Sequence, residues 1–267
     1  MAGLNANECP MWHFEERGEG RPLVLLHGIG MSSFAWSPVM DLLAKDRRVL
    51  AFDTAGFGKT PPLPAGVPPT VPNLVRGLLD SLEARGIHEP FDVAGNSMGG
   101  WMALELAKQG KVRSVVAISP AGLWKDHPAS WVPHFFRFMR ASTRLSPGGV
   151  KLAMKSALLR ELLLSVPISF GSRRMPASDA FRAAIEFAFA PGFDATIGNA
   201  GAFEGGQSIA CPLTVAFGTR DWLLTSSAQH RDQLPPGATW VRPAKWGHVP
   251  MWVDPPGVAR LILDGTA

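Results

Sequence analysis

Short apolar runs alternate along the chain with longer stretches of helical spacing. Residues 23–26, 48–52, 91–94, 114–118, 213–217 and 239–241 are brief and rich in β-branched or apolar side chains, so each predicts a buried strand. A further short strand is expected at 11–15, followed by a turn over 15–20. Helices are expected near 34–45, 71–85, 98–109, 226–233 and 255–264. Strands that alternate with helices predict an α/β fold, a mostly parallel sheet covered on both faces. No internal repeat interrupts this order.

The alternation stops after Ile118. Residues 121–206 keep helical periodicity but contain no convincing buried strand, and Gly148-Gly149, Pro167 and Pro191-Gly192 divide them into several helices. The expected organisation is a core built from 1–120 and 207–267, with 121–206 inserted as a helical lid. Most aromatic residues of the lid are expected to pack helix against helix. A few are expected to line an apolar pocket where lid meets sheet.

Composition narrows the class. The 267 residues, 46% of them apolar, can bury a full core. No run is long enough to span a bilayer, and residues 1–10 lack the pattern of a secretory signal. The two cysteines, Cys9 and Cys211, predict neither a disulfide framework nor a metal cluster, and a reduced cytoplasmic setting is expected. The chain has no tyrosine, which excludes any mechanism that needs a phenol. The net charge of +4 is uneven: residues 121–206 carry ten Lys/Arg and six Asp/Glu, and the remainder is neutral. Such a segment suits an acidic substrate or a membrane surface, although a solvated face is the commoner outcome.

The chemistry centres on Gly95-Asn96-Ser97-Met98-Gly99-Gly100, directly after the strand at 91–94. Small residues around one serine permit a sharp strand-to-helix turn that exposes its hydroxyl. A serine hydroxyl needs a base and a group that orients the base. His248, in a loop after the last strand, is the expected base. His13, His88 and His230 are weaker candidates by position, His27 reads as structural, and His127 and His134 fall in the lid, within reach of a substrate. Asp221, just beyond the strand at 213–217, is the expected acid, with Asp126 as the fallback. The chain order is then Ser, Asp, His. Oxyanion donors are expected from the backbone N–H groups of Met98 and of Ile29, the latter in the tight turn His27-Gly28-Ile29-Gly30.

Five pieces stand in one order: His27-Gly28-Ile29-Gly30, Asp53-Thr54-Ala55-Gly56-Phe57-Gly58, the Ser97 turn, Gly218-Thr219-Arg220-Asp221 and Gly247-His248-Val249-Pro250. Together they span about residues 12 to 264, and the chain resembles the α/β-hydrolase superfamily, in its lid-bearing esterase-like branch. The resemblance implies eight strands, a lid after the sixth, no metal and no organic cofactor. The short N-terminus leaves the first strand of that plan missing or irregular.

Lookalike motifs fail on inspection. Gly58-Lys59-Thr60 ends like a phosphate-binding loop, but Asp53 stands at its first glycine and Pro61-Pro62 follow where a helix should begin. Gly28-Ile29-Gly30 meets Ser33 where a dinucleotide fingerprint needs its third glycine. The expected function is therefore a serine carboxylesterase for small to medium apolar esters, working through an acyl-enzyme. Carbon–carbon bond hydrolysis of aromatic ring-cleavage products, lactonase and perhydrolase activity stay open, as does a non-catalytic ligand receptor on the same fold. The expected partner is a small ester-like molecule, with no nucleic acid and no stable membrane insertion. No motif speaks to oligomeric state.

Overall fold

The computed structural model describes residues 10–88, 90–125 and 129–267. Cys9, Asp126 and His127 lie outside the described residues. The first half of the chain runs β1 (Phe14–Arg17), β2 (Pro22–Leu26), α1 (Ser37–Leu43), β3 (Arg48–Phe52), α2 (Val71–Glu83), β4 (Phe91–Asn96), α3 (Met98–Lys108) and β5 (Val112–Ile118). Five helices follow: α4 (Trp131–Leu145), α5 (Pro147–Lys155), α6 (Ala157–Leu164), α7 (Ala177–Phe189) and α8 (Phe193–Gly198). The chain then returns through β6 (Leu213–Ala216), β7 (Thr239–Val241) and α9 (Pro255–Gly265).

The strands form one sheet in the order β1-β3-β2-β4-β5-β6-β7. All neighbours are parallel except β1, which pairs antiparallel with β3. The sheet has seven strands among the described residues, one fewer than the resemblance implied. The edge strand also starts later than expected: Glu15 and Glu16 are in β1 rather than in a turn. Backbone pairing of Glu16 with Leu50 decides this, and the Glu16 side chain bonds Arg48 across the strands. An edge strand exposed on one side needs no apolar alternation, so its polar sequence read as a turn.

Residues of one strand part to opposite faces of the sheet, as the two-residue repeat requires. Val24 and Leu26 join a core with Leu74, Leu78 and Met102 of α2 and α3. Leu23 and Leu25 join a second core with Val39, Leu43, Val258 and Ile262 of α1 and α9. The stripe Val71, Leu74, Val75, Leu78, Leu82 explains why α2 forms and which face it buries. The Thr70 hydroxyl caps its N-terminus by accepting the Asn73 N–H. The helix expected at 226–233 is instead two short 3-10 turns, Ser226–Ala228 and Arg231–Gln233. Only Ala228 is buried there, so no apolar face holds a longer helix in place.

Helices α4–α8 leave the sheet between β5 and β6, and no strand occurs in this segment among the described residues. Ser146 and Ser156 cap α5 and α6. Arg140 of α4 is buried, stacks on Phe193 and donates to the carbonyls of Phe187 and Ala190. One cation thus ties α4 to the end of α7 and the start of α8. The segment is joined to the core through Gly192 N–H to the Gly56 carbonyl (2.9 Å) and Ser32 Oγ to Glu186 (2.6 Å).

Candidate active site

The turn from β4 into α3 places Ser97 at φ 55°, ψ −116°. Non-glycine residues rarely adopt such a backbone, and the surroundings hold it there. The Ser97 N–H donates to the Ile118 carbonyl, and its own carbonyl accepts from Trp101 and Ala121, each at 3.0 Å. Gly99 allows the close approach: a Cβ at that position would run into the backbone carbonyls of Leu26 and His27. The sequence reading of small residues around the serine therefore has a direct steric basis.

Asp221 lies in the loop after β6 and His248 in the loop after β7. His248 Nδ1 is 3.1 Å from Asp221 Oδ2, and both residues are buried. The other carboxylate oxygen of Asp221 accepts the N–H groups of Leu223 (3.1 Å) and Leu224 (2.9 Å). Burial alone would raise the Asp221 pKa. The facing imidazole, its hydrogen bond and the Leu224 N–H outweigh burial and hold the pKa below the usual carboxylate value. Asp221 is thus held as an anion facing Nδ1 of His248.

The His248 loop is held from two sides. From the sheet, Asn96 Nδ2 donates to the His248 carbonyl (2.8 Å) and to that of Ile118 (3.1 Å). From the helical segment, Ser169 Oγ accepts the Gly247 N–H (2.9 Å) and the Ile168 carbonyl accepts the Val249 N–H (2.7 Å).

The turn at 27–30 lies against the serine, since a Cβ on Gly28 would sit 3.2 Å from Ser97 Cβ. His27 anchors that turn. Its Nδ1 donates to the Gly28 carbonyl (2.7 Å) and its Nε2 accepts the Thr54 N–H (2.9 Å). This pairing requires a neutral ring, and burial lowers the His27 pKa accordingly. Met98 begins α3, where backbone N–H groups have no partner within the helix.

Two cavities meet at Ser97. Ile29, Phe136 and Leu223 line both. The first runs under α4, α6 and α7 past Met139, Leu164 and Ala183, and includes His248. The second runs past Trp101, Trp124, Val132 and Ile197. The described residues lining them include no Lys, Arg, Asp or Glu.

Ser97, Asp221, His248, Ile29 and Met98 therefore come together in one region. Among the described histidines only His248 lines either cavity: His13 bonds Asp53, His134 bonds its own helix and His230 faces Asp232. Asn96 was not singled out from sequence. The signal for Asn96 was its place before the serine. Phe136 was one lid aromatic among many, and only the packing shows it between the cavities.

Ser97 thus stands at a strained turn after the central strand of a mostly parallel sheet, and lines the same cavity as His248 of the Asp221–His248 pair from later strand ends. Residues 21–255 match the alpha/beta hydrolase fold family, and the chain belongs to that family. A 2-hydroxymuconate semialdehyde hydrolase from a Pseudomonas species is 38% identical over 129 residues, 46% of this chain and 42% of the relative. A pimeloyl-acyl-carrier-protein methyl ester esterase from Legionella pneumophila is 36% identical over 95 residues, 36% of this chain and 35% of the relative. The matches span only 32–42% of the curated relatives' length. The structure of a meta-cleavage product hydrolase from Pseudomonas fluorescens shares the fold with a TM-score of 0.70, at 21% identity over 95% of this chain and 93% of that one. No helix among the described residues is long and apolar enough to cross a membrane.

Proposed function

We propose that the protein is a serine hydrolase that cleaves uncharged carboxylic esters with an apolar group on each side of the reacting carbonyl. Ser97 Oγ attacks the carbonyl carbon while His248 Nε2 takes its proton. The N–H groups of Met98 and Ile29 stabilise the oxyanion. Collapse of the tetrahedral intermediate leaves an acyl-Ser97, and His248 returns the proton to the departing alcohol. Water, activated by the same imidazole, then releases the acid. Asp221 keeps the tautomer and stabilises the imidazolium. The reading rests above all on the strained Ser97 standing where two apolar cavities meet, beside the Asp221–His248 pair.

The two cavities suit the two arms of an ester, one for the acyl group and one for the alcohol. Residues 121–206 act in this reading as a lid that sets the size of both.

Carbon–carbon bond hydrolysis is the second reading, favoured by relatives named as hydrolases of 2-hydroxymuconate semialdehyde and of a hexa-2,4-dienoic acid. Such acids carry a carboxylate, which a cationic partner inside the cavity would best hold. The apolar walls favour a neutral ester instead. A panel of p-nitrophenyl esters of rising chain length, with lactones and a ring-cleavage product alongside, tests the choice. Fastest turnover of medium apolar esters, lost in Ser97→Ala, is the expected result. Preferential turnover of the ring-cleavage product overturns the ester reading. Tight ligand binding with no turnover of any compound overturns the enzyme reading.

A further inference from the structure

Helix α6 is built inside out for a soluble surface. Leu158, Leu159, Leu162 and Leu163 fall within an arc of about 140° at 100° per residue, and all four are exposed, Leu158 at 67% and Leu162 at 64%. The two charged residues of the helix face the protein. Arg160 is buried and donates to the carbonyls of Met154 and Arg173. Glu161 accepts the N–H groups of Gly171 (2.7 Å) and Arg173 (3.0 Å). The apolar face extends along the chain to Leu152 of α5 and to Leu145 at the end of α4, both exposed. Leu164, on the other side of α6, lines the first cavity. One short helix thus presents leucines to solvent and a wall to the site.

Charge accompanies this face. From Arg137 to Arg174 the sequence has eight Lys/Arg and a single acidic residue, Glu161, already engaged by backbone N–H groups. Arg137, Arg144, Lys151, Lys155, Arg173 and Arg174 are all exposed. Lys151 and Lys155 flank Leu152 on α5, and Lys155 lies three residues before Leu158. Exposed leucines accompanied by cations match a surface that is apolar below and anionic above, which is the boundary region of an anionic bilayer. A second copy of the chain fits less well, because a two-fold contact sets each patch against itself and brings the same lysines together.

We infer that the outer face of α5 and α6 docks the protein peripherally on an anionic phospholipid bilayer, with the leucines in the headgroup boundary and Lys151 and Lys155 on the lipid phosphates. Nothing spans the membrane in this arrangement. The inference does not depend on the reaction at Ser97.

Flotation of the full chain with phosphatidylcholine vesicles, with and without phosphatidylglycerol, tests it. Binding is expected only to the anionic vesicles and is expected to weaken with added salt. The double variant Leu158→Ser/Leu162→Ser and the double variant Lys151→Glu/Lys155→Glu are each expected to lose about tenfold or more of that binding. Both should keep the wild-type circular dichroism and the turnover of a water-soluble ester, which separates loss of docking from loss of the site. If the leucine variant misfolds, the lysine variant decides alone. Absence of wild-type binding, equal binding to neutral vesicles, or undiminished binding by a folded variant overturns the inference. So does concentration-dependent dimerisation that both variants abolish without any vesicle binding.

Discussion

The side-chain amide of Asn96 donates a 2.8 Å hydrogen bond to the backbone carbonyl of His248, joining the residue before Ser97 to the loop that carries the imidazole. Asn96→Ala removes that bond and the one to Ile118; the Ile118 carbonyl keeps the Ser97 N–H, but the His248 carbonyl loses its donor. A loss of about 1–3 kcal/mol in stability is expected for such a deletion. In steady-state kinetics with a p-nitrophenyl ester, kcat should fall while KM holds, because Asn96 holds the loop that carries His248, the proposed base. A fall confined to KM would assign Asn96 to substrate binding instead.

Asp221→Asn should keep the fold but slow ester turnover by on the order of ten-thousandfold, as in serine protease triads. The neutral amide no longer fixes the proton on Nδ1. Comparison of kcat/KM with thermal unfolding of the same preparation checks this. A fully active variant would place the acid elsewhere.

Gly99→Ala should destabilise the protein by about 3 kcal/mol or more, since the added methyl group meets the carbonyls of Leu26 and His27 rather than movable side chains. Denaturant unfolding measures it. An unchanged midpoint would mean that the elbow relaxes without cost.

Burial holds His27 neutral, with its pKa below the ordinary imidazole value of 6.5, against the pull of Asp53 and Glu186. Below pH 6.5 the unfolded chain takes up a proton that the folded protein refuses, so stability declines as pH falls from 6.5 towards the folded pKa. His27→Gln should start from a lower stability but show a flatter decline over that window. Thermal unfolding at a series of pH values compares the slopes.

Phe136 packs against Phe187 and Phe193 and stands where the two cavities meet. Phe136→Ala should cost about 3–5 kcal/mol and merge them. The ratio of kcat/KM for a branched ester to that for a linear one should rise. A ratio that stays fixed would mean that Phe136 does not separate the two arms.

The core of the fold was legible in the sequence because strands β2–β6 are largely buried runs. Ser97, Asp221 and His248 could be placed from the pattern, since each follows a strand. The edge strand and the pair of turns at 226–233 were harder to read for one reason: neither has an apolar face, and backbone pairing or its absence decides the outcome. The division of the site by Phe136, Ile29 and Leu223 comes from packing between distant segments. No local pattern records it. The exposed leucines of α6 were visible as apolar residues, but only the buried Arg160 and the engaged Glu161 show which way the helix faces.

The bonds from Ser169 and Ile168 to Gly247 and Val249 have a mechanical consequence. The serine rides on the sheet, whereas the imidazole is gripped by the sheet on one side and by the chain just beyond α6 on the other. In the proposed reaction, a shift of the chain at 168–169 would reach the His248 loop without moving the turn that carries Ser97. Under that proposal the alignment of base and nucleophile, and with it the rate, answers to a segment that supplies no reacting group.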